Sequence, residues 1–554
     1  MSSRTRKRSD ASVNRIADEF FWTLQDRSLD PRLSAHGNAV WLAQLDWFAR
    51  RARRLKTSKL TRQGHITYEL LLDAIDIQRR HLVEGHVEEE LNSVDSLMLS
   101  VWMWSQVTPR ETVRDWRAII KRLSRCDRFV EEYITMLRDG LAAGRIRPVE
   151  VVQSCIETLG KLGSTAKDRN PLLALTAELE ETLARRKQLP ELRRQLRDAL
   201  HRVALPAHRR LRSFLRRTYL PRAPRRPGDR DRYLHYLRIH LGSDYQPESL
   251  MIGAHREVER LHRQLERTVR RLAPELTSLS SFMLALNRSK HSRYADGEEV
   301  MDDAVEEVLI AREQARSMVP IPHDALTVCP VPVTREAIME AAYIRTGPDT
   351  GEFQVNTGPL LDKNKRYEMA TLATHEVYPG HHLQAMYAQR QTGLPAFRCD
   401  SAFLVYEEGW AMYTEQWRDS KGWYTPYERI GYLLQAIRGA AMAVVDAGLN
   451  SGLMTQRRAR EYLAKTIFGS PASMKARVER VLNWPGQGVT YHVGKREILR
   501  ARNEVRRILG RHFDERAFHV KLLSLGAVPP KILRREMAAW ARRSLGRRRG
   551  RVEG

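Results

Sequence analysis

Across residues 17–204, apolar residues recur at intervals of three and four, as in Ile66, Leu70, Leu71, Ile75 and Ile77, with polar residues between them. That spacing gathers the apolar side chains on one stripe of an α-helix, so the pattern predicts a lobe of helix hairpins. Trp102 and Trp104 fall inside this lobe and read as core residues. The rhythm stops over 206–232, where proline and arginine dominate, and this stretch reads as a linker. Helical periodicity resumes near Pro247, and 248–315 alternates an apolar stripe with dense charge, as long surface helices do.

Residues 327–358 differ from everything else. TVCPVPVT, EAAYIRTG and GEFQVNT are short β-branched or aromatic runs punctuated by glycine and proline, and they predict a small antiparallel sheet. Beyond it the helical pattern runs to about Ala541. The expected fold is therefore mainly α and two-lobed: an N-terminal helical lobe at 17–205, the linker at 206–232, and a second helical region at 233–541 holding the sheet. Segments 1–16 and 542–554 are expected to be loose basic tails.

With 554 residues, 42% of them hydrophobic, the chain can bury several cores. The formal net charge of +27 raises the question of an anionic partner. The excess is concentrated in the two ends and in the arginines of 209–232, which read as solvated segments. Neither aromatic-interleaved basic strands nor a paired-cysteine finger is present, so nucleic acid is not the expected partner. Cys126, Cys155, Cys329 and Cys399 form no CxxC pair and are expected to be reduced. The basic N-terminus is not followed by an apolar run, and no stretch is expected to span a membrane, which points to the cytoplasm. GxxxxGK[ST] and GxGxxG are both missing, which removes the usual support for a nucleotide-binding enzyme.

The chemistry lies in ATLATHEVYPGHHLQ, residues 370–384, where His375 and Glu376 are followed by Pro379, Gly380, His381 and His382. This resembles a stretched HExxH motif, in which two histidines four apart on one helical face reach a single zinc ion. Here the histidines are six or seven residues apart, which on an unbroken helix is about 9 to 10.5 Å of rise. A straight helix cannot chelate in that way. Pro379 and Gly380 favour a break, and absorbing those two residues returns His381 to the HExxH relation. His382 remains the alternative ligand, or a support behind it. Downstream, VYEEGWAMYTEQW carries Glu408, far enough along for a second helix to run back and supply a carboxylate. Two histidines and a glutamate leave one position open on zinc, as catalytic sites require. Glu407 is expected on another face of that helix, and Glu415, two turns beyond Glu408, is either a support or solvated.

These segments resemble the bacterial domain of unknown function 885 family, whose marks are HExxPGHHLQ followed by EGWAxYxE. GEFQVNTG at 351–358, WPGQGVTYHVGKREILRAR at 484–502 and FDERAFHVKLLSLGAVPPKILRREM at 513–537 resemble further segments of the family. The resemblance implies a metallopeptidase-like helical fold, one Zn2+ at His375, His381 and Glu408, and Glu376 as the catalytic carboxylate. By family position, Tyr491 is the candidate donor to the developing negative charge, with Arg438 behind it. Where the family commonly reads DTGxH, this chain has Asp446, Ala447, Gly448, Leu449 and Asn450.

The expected activity is that of a zinc metallopeptidase cleaving peptides with a zinc-bound water activated by Glu376. The strand through Phe353, Val355 and Asn356 is expected to bind the substrate backbone along its edge. Three readings compete: a zinc amidase on small acyl-amino compounds, an inactive metal-binding homologue suggested by Asn450, and a protein bound to anionic surfaces or nucleic acid by its basic ends. The sequence leaves oligomeric state and substrate length open.

Overall fold

The computed structural model describes residues 3–29, 33–93, 110–166, 170–225, 228–276, 278–289, 292–332, 341–358, 364–400 and 403–552. Trp102 and Trp104 lie outside these residues. The chain divides into two compact units, one of 1–228 with 482–484 and one of 229–481 with 485–554.

The first unit is built of helices. Its opening helix, Ser3–Leu29, begins inside the segment expected to be a loose tail. Val13, Ile16, Ala17 and Phe20 are buried, so the three-and-four spacing simply starts earlier than 17. Ile66, Leu70, Leu71 and Ile75 of Arg62–Val83 are buried as their spacing predicts.

The expected linker is also helical. Leu205–Phe214 is an α-helix with proline in its first turn, where no intrahelical N–H is required. It is preceded by a π-helical stretch at Ala199–Ala204, the kind of irregularity that accommodates a lost i→i−4 bond. Arg210 finds Asp127 and Glu131 at 2.7 Å each, so part of the arginine excess is committed to ion pairs within the unit. At the other end of the chain, Pro530–Val552 is one helix that runs on through most of the second expected tail.

In the second unit, α1 (Pro247–Leu272) buries Leu250, Ala254, Val258, Leu261, Leu265 and Val269 along one stripe, while its arginines and glutamates take the other faces. A short helix at Leu279–Arg288 follows, and then α2 (Gly297–Ala315). The sheet comprises β1 (Ala325–Pro330), β2 (Ala341–Arg345) and β3 (Thr350–Val355), in the order β1-β3-β2. β1 pairs with β3 in parallel, with Val328 opposite Phe353, and β2 pairs with β3 antiparallel, with Tyr343 opposite Phe353. The sheet is therefore mixed and not purely antiparallel. β3 is its central strand, both of whose edges are taken, so it cannot bind a substrate by edge addition.

After the sheet come α3 (Arg366–Glu376), α4 (His381–Gln389), α5 (Leu404–Ser420), α6 (Pro426–Asn450) and α7 (Gly488–Leu509). α6 starts at a capping box formed by Thr425 and Glu428, and from Ile430 onward most of it is buried. Leu261, Leu265, Tyr367, Met412, Leu433 and Ile437 gather α1, α3, α5 and α6 in one core cluster. Ala254, Val405, Ala443, Val444, Val489 and Val493 join α1, α5, α6 and α7 in another. Among the described residues α6 is, by length and composition only, apolar enough to cross a membrane, and 83% of its apolar window is buried inside the protein, as in a core helix.

α5 and α7 cross where glycine meets glycine. A Cβ on Gly494 would lie 1.9 Å from the Val405 carbonyl oxygen and 2.5 Å from the Gly409 Cα. Gly494→Ala is expected to destabilise the second unit by about 1–3 kcal/mol through overpacking, read as a lower denaturant midpoint.

Candidate metal centre

α3 ends at Glu376, and the chain turns through Val377, Tyr378, Pro379 and Gly380 before α4 begins at His381. The break lies where proline and glycine predict it. Gly380 passes under the end of α3 so closely that a Cβ there would lie 1.8 Å from the His375 carbonyl oxygen. The Pro379 carbonyl accepts a 2.7 Å hydrogen bond from the Trp410 indole, which ties the turn to α5. Arg418, also on α5, donates to the Ala370 carbonyl and to the Thr374 hydroxyl, both at 2.9 Å.

These ties bring three predicted ligands together. Potential ligand atoms of His375, His381 and Glu408 all lie within 4.8 Å of one another, a group that could hold a metal ion. A Glu408 oxygen is 3.4 Å from His375 Nε2 and 3.7 Å from His381 Nε2. Tetrahedral ligands about 2.0–2.1 Å from zinc stand roughly 3.3 Å apart, close to the two distances from Glu408.

Glu415 is fully buried, and its carboxylate accepts the Nδ1–H of His375 at 2.6 Å. That bond leaves Nε2 to face the ligand group, the carboxylate–histidine arrangement that orients metal ligands. Glu415 is thus a support for His375, which spacing alone left undecided. Burial alone would raise the Glu408 carboxyl, but hydrogen bonds from His375 and His381 outweigh it and hold the group well below the usual carboxylate range. Burial would likewise lower His375, yet its bonds to Glu408 and Glu415 raise it well above an ordinary histidine.

His382 is elsewhere. Its ring is fully buried, with Nε2 2.9 Å from Asp324 and Nδ1 3.2 Å from the Tyr343 hydroxyl. Asp324 also pairs with Arg312 at 2.7 Å and accepts the Tyr378 hydroxyl, a network between α2, the sheet and α4. Glu376 is half-buried and accepts the Tyr343 backbone N–H at 3.0 Å, which places it against the outer edge of β2. Asn356 is fully buried; its side chain accepts the Gly358 N–H and its carbonyl accepts the Asn364 amide. It shapes the turn after β3 and does not face an open surface.

Tyr491, on α7, lies against Glu408 and accepts a 3.0 Å bond from the Gln487 amide; burial pushes its phenol up. Arg438 pairs with Glu368 at 2.9 Å, two turns before His375 on α3, and so ties α6 to α3. An open pocket of about 320 Å³ lies beside the ligand group, lined in part by Tyr343, Arg345, His381, Asp400, Glu407 and Glu408. Glu407 therefore shares the pocket with its neighbour, although adjacent helical positions diverge; burial pushes its carboxyl up to about 7.

The chain belongs to the family described as "Bacterial protein of unknown function (DUF885)", whose profile matches residues 20–537. Two solved structures share its fold. One, "The crystal structure of the putative lipoprotein from Colwellia psychrerythraea", has a TM-score of 0.85 at 20% identity and covers 97% of this chain and 99% of its own. The other, a "putative lipoprotein of unknown function from Shewanella oneidensis", has a TM-score of 0.74 at 17% identity, with 95% and 99% covered. No curated protein matches the chain.

Protonated His375 stabilises the metal-free protein fully below the ordinary histidine pKa, and this contribution is lost as pH rises through the raised folded value. A metal competes with that proton, so the rise in melting temperature on adding zinc is expected to grow from about pH 6 to about pH 8. Glu415→Gln is expected to weaken zinc affinity about 10- to 100-fold, read by chelator competition.

Proposed function

We propose that this protein is a zinc-dependent hydrolase, and specifically a metallopeptidase. The observation that carries the reading is the convergence of His375, His381 and Glu408 within 4.8 Å, with Glu415 behind His375 and Glu376 beside it. Both imidazoles and the carboxylate suit zinc by ligand type.

When bound, zinc supplies Lewis acidity, lowering the pKa of a water toward about 7 and polarising a carbonyl oxygen. Glu376, adjacent to a ligand, takes the proton of the attacking water and then delivers it to the leaving amine. The Tyr491 hydroxyl, beside Glu408, donates to the carbonyl oxygen as negative charge builds. Arg438 acts through its ion pair with Glu368, keeping α6 and α3 in place. β2, an edge strand whose Tyr343 N–H is held by Glu376, provides in the rest of its outer edge the backbone along which an extended peptide aligns, in place of the central β3.

A second reading, a zinc amidase on small acyl-amino compounds, is favoured by the pocket volume of about 320 Å³, near the lower end for small-molecule sites. We retain the cytoplasm as the proposed location. The lipoprotein descriptions of the two neighbours concern those proteins and suggest a different location for them. Fractionation of cells with an antibody to the chain decides between cytosol and membrane.

Zinc content and cleavage of a mixed peptide library test the main reading. One zinc per chain is expected, absent from His375→Ala. Glu376→Gln is expected to keep zinc and lose about 10²- to 10⁴-fold in kcat. Zinc without peptide cleavage, but with hydrolysis of acyl-amino amides, selects the amidase. Absence of zinc from the native protein overturns both.

A further inference from the structure

The pocket beside the ligand group contains more charge than the metal site uses. Arg345 is a guanidinium on its wall, and it is already paired: Asp400 lies 2.5 Å from it. Asp400 in turn accepts the Gln389 amide at 2.6 Å, which fixes this pair against the wall. Glu408 is turned toward His375 and His381.

Glu407 remains. It lines the same pocket and is half-buried, with His381, Glu408 and Arg345 as charged neighbours but no hydrogen-bond partner for its carboxylate among the described residues. It does not belong to the group of atoms that could hold the metal. A carboxylate withdrawn from water without a donor is costly, and a cation entering the pocket offsets that cost with a charge-assisted hydrogen bond. Among the described residues the pocket wall thus presents one carboxyl group without a hydrogen-bond donor, Glu407, while the Arg345 guanidinium is paired with Asp400.

We propose that Glu407 receives a positively charged group of the substrate, so that the pocket selects amides or peptides with a free α-ammonium or a lysine or arginine side chain beside the scissile bond. This assigns a substrate class to the same site and so rests on the hydrolase reading. The two cations share one chemistry and reach the bond from different sides.

The test uses the full-length chain with Glu376→Gln, zinc added, and equilibrium binding of four peptide amides. These are Lys-Gly-Gly, its Nα-acetyl form, norleucine-Gly-Gly and its Nα-acetyl form. At least one cationic ligand is expected to bind about tenfold more tightly than acetyl-norleucine-Gly-Gly, with the preference lost on adding Glu407→Gln. Preference for the free N-terminus identifies the α-ammonium as the cation, and preference for acetyl-lysyl over acetyl-norleucyl identifies the side chain. Equal binding of all four, or a preference that survives Glu407→Gln, overturns the assignment. If the second substitution prevents folding, the four ligands still separate cationic preference from equal binding. Cationic preference that is lost in Glu407→Gln, without hydrolysis by the native enzyme, leaves Glu407 assigned and removes the peptidase reading; hydrolysis without preference does the reverse.

Discussion

The candidate centre depends on one backbone contact, the passage of Gly380 beneath the last turn of α3. With the His375 carbonyl oxygen 1.8 Å from where a Cβ would be, and that of Thr374 at 2.4 Å, only glycine lets the chain double back so tightly. This return carries His381 over His375, with ring centroids 4.8 Å apart, despite the extra residues between them. The same economy of side chains recurs around it. Gly431 of α6 meets the Tyr367 carbonyl of α3, and Gly409 of α5 meets Gly494 of α7, so helices approach at the positions from which Glu408 and Tyr491 project.

Close approach alone would leave an electrostatic problem. His375 lies between Glu408 and Glu415, both withdrawn from water, and one Glu415 oxygen has no hydrogen-bond partner among the described residues. Buried carboxylates are costly unless a cation answers them. In the metal-free protein the proton held on His375 answers them in part. A divalent ion, were one held by His375, His381 and Glu408, would answer them more fully, with Glu415 then accepting from a neutral ring. The two carboxylates thus leave negative charge around His375 that a single proton offsets only in part.

Much of this was legible in the sequence, and what was not has a common cause. Spacing of three and four located the helices, while β-branched runs between glycines and prolines located the strands. Strand order was invisible, because pairing β1 with β3 in parallel is a relation between distant residues to which local pattern is blind. His375, Glu376, His381 and Glu408 were legible because two short segments carry them, and Glu415 partly so, because a seven-residue step returns to one helical face. Asp324, Tyr343 and Arg418 were missed: each acts through partners many residues away and carries no local mark. The arginine- and proline-rich segment misled because its first proline falls where a helix tolerates it and because arginines there find acidic partners on another helix.

The departure at Asn450 looks different once its surroundings are known. Its amide donates to the Asp446 carboxylate at 2.8 Å and to the Val481 carbonyl at 3.0 Å, and it is not among the residues lining the pocket. Asp446 in turn accepts the Gly486 backbone N–H at 3.0 Å, just before α7 begins. Burial pushes that carboxyl up to about 7 against the pull of these donors. Asn450 therefore works on the end of α6 and on the approach to α7, one turn ahead of Tyr491. An asparagine that satisfies a buried carboxylate and a carbonyl at once is a scaffold residue, and its presence in place of histidine is no argument that the centre is inert.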